Sequence, residues 1–94
     1  MPRFKVAHLR QQGQDMVIIP LDSEFGRKMS SEQNEVATEL QLRSRSAGLG
    51  GRVVLVWDNG GGRMGFLAPH NWRAFFASLS LNWVFANINR EIYW

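Results

Sequence analysis

Three arginines with no acidic residue between them, and a fourth close by, form the best candidate binding site in the sequence. They are Arg43, Arg45, Arg52 and Arg63. The guanidinium group is a planar, permanently charged fork that suits phosphate and carboxylate partners. Contacts to phosphates give affinity for DNA or RNA without sequence specificity, and four of them predict a slope of about −3.6 in log K against log salt. Alternatively, Arg43 and Arg45 only complement a helix dipole.

Charge is distributed unevenly along the chain, whose formal net charge is +3. Residues 21–40 carry five acids against two bases, whereas residues 41–94 carry six arginines against two acids. If the acidic segment lay on the same face as the arginines, it would weaken their attraction for a polyanion.

Catalytic readings of the sequence have less support. His70, in a loop next to a predicted helix, could act as a general base, and Asp22 with Glu24 could hold a metal ion for a nuclease. No cysteine offers a nucleophile or a soft ligand, and two isolated histidines do not make a metal site. We therefore expect no catalytic residue, no metal site and no cofactor.

The aromatic residues recur mostly at helical spacing, which favours a place in the core. Four others are predicted to lie at an interface with a partner: Trp57, Trp83, Tyr93 and Trp94. An ending of Ile-Tyr-Trp is unusual for a free tail, so we expect it to be docked on the sheet or on another protein.

Ninety-four residues are enough for one domain, 1–94, with two similar halves, 1–49 and 50–94. The chain contains no cysteine and no apolar run of about 18–20 residues, which is the length of a membrane span. We therefore expect a cytoplasmic protein that does not cross a membrane.

The element order predicted from hydropathy and turn residues is β-β-α-β-β-α, with hairpin turns at 11–14 and 59–62. One helix starts near Ser30, which with Gln33 fits a capping box, and a last helix covers 81–94. Apolar positions of the two halves match at an offset of 48, which suggests an internal duplication.

The predicted fold class is α+β, with a four-stranded, mainly antiparallel sheet and helices on one face. The strand at 53–57 is apolar on both sides, which is typical of strands that are covered on both faces. A second copy of the chain could supply the missing cover, so we expect a homodimer.

The segment VVLVWDNGGGRMGFLAPHNWRAFF, with the ending NINREIYW, resembles short, functionally uncharacterised bacterial proteins carried on plasmids and integrating elements. The similarity extends to FKVAHLRQQGQDMVIIPLD and so covers most of the chain. The resemblance implies an accessory protein of a mobile element, and it transfers no functional residues.

Together these features predict a small non-catalytic accessory protein that binds nucleic acid or a nucleoprotein partner through its arginines. The alternative is a protein–protein interaction module, an inhibitor or assembly factor, that uses the aromatic C-terminus. The least favoured reading is a small hydrolase or nuclease.

Overall fold

A computed structural model describes residues 3–11, 13–60 and 63–93 of the chain. The strands are β1 (Arg3–Gln11), β2 (Gln14–Leu21), β3 (Arg52–Asp58), β4 (Met64–Leu67) and β5 (Arg90–Tyr93). The helices are α1 (Ser30–Ser46), α2 (Arg73–Ala77) and α3 (Leu81–Ala86), and two short 3-10 helices cover Ser23–Arg27 and His70–Trp72. Both predicted hairpins are present, although Gln12, Gly61 and Gly62 of their turns lie outside the described residues.

The described strands form one sheet in the order β4-β3-β2-β1-β5. The α+β class is confirmed, but the sheet has five strands where the sequence predicted four. β2 and β3 are parallel, because α1 crosses back over the sheet between them, while the other three pairings are antiparallel. The crossover helix therefore carries the chain from the end of β2 to the start of β3.

The fifth strand replaces the second half of the helix that was predicted over 81–94. α3 ends at Ala86, where Asn87 caps it by donating its Nδ2 to Trp83 O at 2.8 Å, and the chain then leaves the helical path. Asn89 pairs with the backbone of His8 in both directions, its Oδ1 accepting from His8 N at 2.9 Å and its Nδ2 donating to His8 O at 3.0 Å. These bonds set the chain beside β1, where Ile92 enters the core. Pairing with the open edge of β1 thus stabilises a strand at 90–93, although the apolar residues there have helical spacing.

The apolar residues of β2 and β3 alternate between two buried clusters on opposite faces of the sheet. Val17, Val53 and Leu55 pack with Leu40 of α1, whereas the neighbouring residues pack with Phe76 and Val84 of α2 and α3. The prediction that all helices share one face is therefore wrong. This chain covers both faces itself, so the two-sided strand is no longer a reason to expect a second copy.

The two halves share the order hairpin then helix, as the duplication hypothesis requires. Their helices lie on opposite faces of the sheet, however, and the first half shows no described counterpart of β5. The two halves therefore share an order of elements but not the same arrangement around the sheet.

Candidate nucleic-acid interface

α1 separates the acidic and basic residues of the chain along its own length. Glu32 and Glu35 lie in its first two turns, and Arg43 and Arg45 lie in its last. Seventeen residues of helix span about 25 Å. We call the end of the sheet where α1 ends and β3 begins the basic end. Four of the five acids of residues 21–40 therefore lie toward the opposite end, and the fifth, Glu39, pairs with Arg43.

A groove of ≈ 600 Å³ lies at the basic end, between α1 and the ends of the β3–β4 hairpin. Arg45 of α1 and Arg52 of β3 both line it, together with the exposed Leu42 and with Pro69. No acidic side chain of the described residues lines the groove, and neither arginine forms an ion pair with any of them. Arg45 and Arg52 thus line the same groove with no acidic residue beside them.

The groove exists because β4 is shorter than β3. The last pairing of the two strands is Leu55 with Leu67, and the register would place Pro69 opposite Val53. Proline has no N–H to donate to a ladder, and the strand ends before it. The amide of Val53 donates instead to Gln41 Oε1 at 2.9 Å.

Gln41 also positions Arg52. Its Nε2 donates to the carbonyl oxygen of Gly51 at 3.1 Å while its Oε1 accepts from Val53 N. One side chain of α1 therefore fixes the backbone on both sides of Arg52. Sequence reasoning missed this residue, because a single glutamine within a helix gives no signal of what it will contact.

Replacing Gln41 with methionine is expected to lower the free energy of unfolding by about 1–3 kcal/mol, since the partly buried Val53 N–H loses its acceptor. Gln41→Glu keeps an acceptor at the same place and should lose less. Urea titration followed by circular dichroism measures both variants. Equal stability of Gln41→Met and the parent chain would show that the two hydrogen bonds of Gln41 contribute nothing to stability.

The other two predicted arginines lie apart from the groove. Arg43 is committed to Glu39, with its Nε 2.8 Å from Oε1. Arg63 is exposed in the β3–β4 turn, at the far end of the hairpin from Arg52. Six residue steps along β3 make that separation about 20 Å. Within one chain, the structure brings Arg45 and Arg52 together and leaves Arg63 out.

A further arginine shares the basic end but is also paired. Arg10, near the end of β1, has its Nη1 3.7 Å from Asp15 Oδ1 near the start of β2. Both side chains are at least half exposed, so this pair contributes little to stability. No local pattern groups Arg10 with residues 43–52; the order of the strands in the sheet does so.

The residues predicted to form an aromatic interface are distributed differently. Trp57 is 7% exposed and belongs to the core beside α1, so its ring packs against residues of its own chain. Trp83 is half-buried and packs edge-on against Phe75, with centroids 6.4 Å apart. Tyr93 lies in β5, and Trp94 lies outside the described residues.

A second groove, of ≈ 740 Å³, lies on the other side of the sheet from α1 and toward its acidic end. Its lining includes Lys5, Pro20 and Ile88, and also Phe85, which is 53% exposed. This is the exposed aromatic surface of the described residues, and it comes from α3 rather than from the C-terminal Tyr-Trp.

The residues of the hydrolase hypothesis are not brought together. Asp22 and Glu24 follow the end of β2, at the acidic end of the sheet. His70 follows the end of β4, at the basic end, so the length of β3 separates it from the two acids. Among the described residues, no three histidine, aspartate or glutamate side chains are grouped so that they could hold a metal ion. None of the helices in these ranges has the length and hydropathy to cross a bilayer.

Comparison of the chain with protein-family models, with curated proteins and with solved structures finds no match.

Proposed function

We propose that the chain is a non-catalytic accessory protein that binds nucleic acid by its phosphates at the basic end of the sheet. The observation that carries the proposal is the groove lined by Arg45 and Arg52 and by no described acid. Both arginines lack a competing ion pair within the described chain, so a phosphate need not displace a carboxylate to reach them.

The position of the acids supports the same function. A polyanion that approaches the basic end meets the last turn of α1, where the full positive charge of Arg45 exceeds the partial negative charge of about −0.5 at the helix C-terminus. Glu32 and Glu35 lie about 12–20 Å back along the helix from Arg43 and Arg45, beyond the screening length of physiological salt, about 8 Å. Their repulsion is therefore weak at the arginines of the last turn.

The test is the salt dependence of binding to labelled DNA and RNA, single-stranded and duplex, between about 50 and 200 mM salt. Two phosphates in contact with one chain give a slope of about −1.8 on duplex DNA, and Arg45→Ala or Arg52→Ala should flatten it by about 0.9. Neither variant should change stability by more than about 0.5 kcal/mol. Fluorescence anisotropy gives the affinity, and a thermal melt gives the stability.

Arg27→Ala is the matched control, because Arg27 is also exposed but lies before α1, at the acidic end. It should leave the slope unchanged. If it flattens the slope as much as Arg45→Ala does, the attraction comes from net charge and not from the groove. If no nucleic acid binds even at about 50 mM salt, the proposal is wrong.

The alternative, a protein–protein interaction module, is favoured by one observation, the exposed Phe85 beside the second groove. Large exposed apolar side chains in a concave surface are typical of contacts between proteins. Phe85→Ala should leave nucleic-acid binding unchanged, since the residue lies across the sheet from Arg45.

A further inference from the structure

The outer edge of β4 is paired with no strand among the described residues, because β4 is the last strand at its side of the sheet. Asn59 N donates to Arg63 O at 2.9 Å, so the backbone of position 63 faces β3. Backbone groups alternate along an antiparallel strand. Those of Gly65 and Leu67 therefore also face β3, and those of Met64, Phe66 and Ala68 face outward.

This edge lacks the charged residues that usually prevent strands from adding to a sheet. β4 consists of Met64, Gly65, Phe66 and Leu67, all half-buried and none charged. The opposite edge strand, β5, carries Arg90 and Glu91 instead. The contrast marks the β4 edge as the side of the sheet at which another strand can be added.

We propose that β4 pairs antiparallel with β4 of a second copy of the chain, and that this pairing adds the partner's Arg63 to the groove lined by Arg45 and Arg52. The role given to the three arginines rests on the proposed function, while the strand pairing stands without it. A homodimer of this kind uses the sheet edge, not the sheet face.

The outward-facing backbone groups fix the register of the pairing. A two-fold axis at Phe66 sets Phe66 opposite its own copy and Met64 opposite the partner's Ala68, and so uses every outward-facing N–H from 64 to 68. One step further, Arg63 comes opposite the partner's Pro69. Since Pro69 lines the groove, the arginine that is about 20 Å from it within one chain reaches it from the other.

Charge complementarity favours the same arrangement. In an antiparallel pair, the basic end of one chain lies beside the acidic end of its partner. The two copies of α1 lie on the same face, each over β3, with three strand spacings between the two β3 strands, or about 14 Å. The last turn of each α1 is thus kept away from the equally basic last turn of its partner, while the partner's Glu32 and Glu35 stay beyond the screening length of about 8 Å from the groove.

Light scattering on a sizing column tests the pairing with Ala68→Pro. Proline removes the outward N–H of position 68, which β3 does not use, and its ring blocks the approach of a second strand. The parent chain should elute at twice 10.8 kDa, and Ala68→Pro at 10.8 kDa, with Ala68→Ser as a control that keeps the N–H and the dimer. A monomeric parent chain at micromolar concentration overturns the proposal.

A cysteine pair tests the register even if the proline variant fails to fold. The chain has no cysteine, so Met64→Cys with Ala68→Cys introduces the sole thiols. Across the interface these positions lie about 5.5 Å apart between Cα atoms, within disulfide range, whereas within one chain they are about 13 Å apart. The double variant should form covalent dimers on oxidation and each single variant should not. Equal cross-linking by a single variant would overturn the register.

Binding measurements separate the two proposals. With three arginines at each groove, the salt slope on duplex DNA rises to about −2.7 per site, and Arg63→Ala flattens it by about 0.9. Ala68 also lines the groove, so in the Ala68→Pro background Arg45→Ala must still flatten the slope, and there Arg63→Ala should have no effect. If that effect persists in the monomer, the partner's Arg63 is not part of the groove. A dimer that binds no nucleic acid would refute the proposed function and the role of Arg63, but not the strand pairing.

Discussion

Replacing Trp57 with alanine is expected to lower the free energy of unfolding by about 3–5 kcal/mol, the largest effect of any single side-chain truncation that we propose. The indole is buried, and its ring centroid lies 5.1 Å from that of Phe25. Gly65 faces it across the hairpin and Gly26 lies against it, and a Cβ added at either glycine would collide with the indole Nε1. Because neither glycine has a side chain that could move in, the cavity would stay open.

Trp57→Phe provides the matched control for this prediction. The indole N–H is buried and has no hydrogen-bond partner among the described residues, so phenylalanine removes an unpaired donor as well as part of the ring. We expect Trp57→Phe to lower the free energy of unfolding by less than half as much as Trp57→Ala does. Urea unfolding measures both variants. A change in the mass of the particle in solution without loss of stability would contradict the burial of Trp57 and restore its predicted place at an interface.

Gly51→Ala should cost about 2–5 kcal/mol, for two independent reasons. The backbone of Gly51 has φ +112°, which L-residues rarely adopt. An added Cβ would also lie 2.6 Å from the backbone carbonyl carbon and oxygen of Asp15, and backbone of a sheet strand cannot move aside cheaply. Thermal and urea unfolding should both show the loss.

The same loop contains the controls. Gly50 has no positive φ and nothing within 4 Å of an added Cβ, so Gly50→Ala should be close to neutral. Gly48, at φ +82° but in open space, should lose only about 1 kcal/mol from backbone strain. The expected order of loss is Gly51, then Gly48, then Gly50. Equal losses at Gly50 and Gly51 would mean that the approach of Asp15 to the loop is not as described.

The sequence predicted local structure better than it predicted long-range pairing. Turn residues and apolar alternation placed both hairpins, since these depend on neighbours in the chain. The pairing of β5 with β1 depends on contacts between residues such as Val6 and Arg90, which no local pattern contains. Helical spacing at 88 and 92 therefore gave the wrong element for the last strand.

The candidate site was predicted in part for the same reason. Arg45 and Arg52 lie seven residues apart and are joined by a short loop, so their proximity could be read from the chain. Arg63 was grouped with them because the sequence does not show that the turn lies at the far end of the hairpin. The capping box expected at Ser30 does not form either: the side chain of Gln33 donates to the carbonyl of Phe25 at 3.0 Å. A tertiary hydrogen bond of Gln33 thus replaces the local one that the sequence pattern predicted.

The position of β1 between β2 and β5 has a consequence for synthesis of the chain on the ribosome. Arg3 pairs with Tyr93, so one side of the first strand waits for a partner translated 90 residues later. Until then the open edge on this side of the sheet is β1, which contributes Val6 to the buried core; afterwards it is β5, which carries the charged Arg90 and Glu91. Contacts over such long separations slow folding, and unpaired edges invite association between nascent chains. Completion of the sheet by its last strand thus closes the period in which this protein is most prone to misassemble.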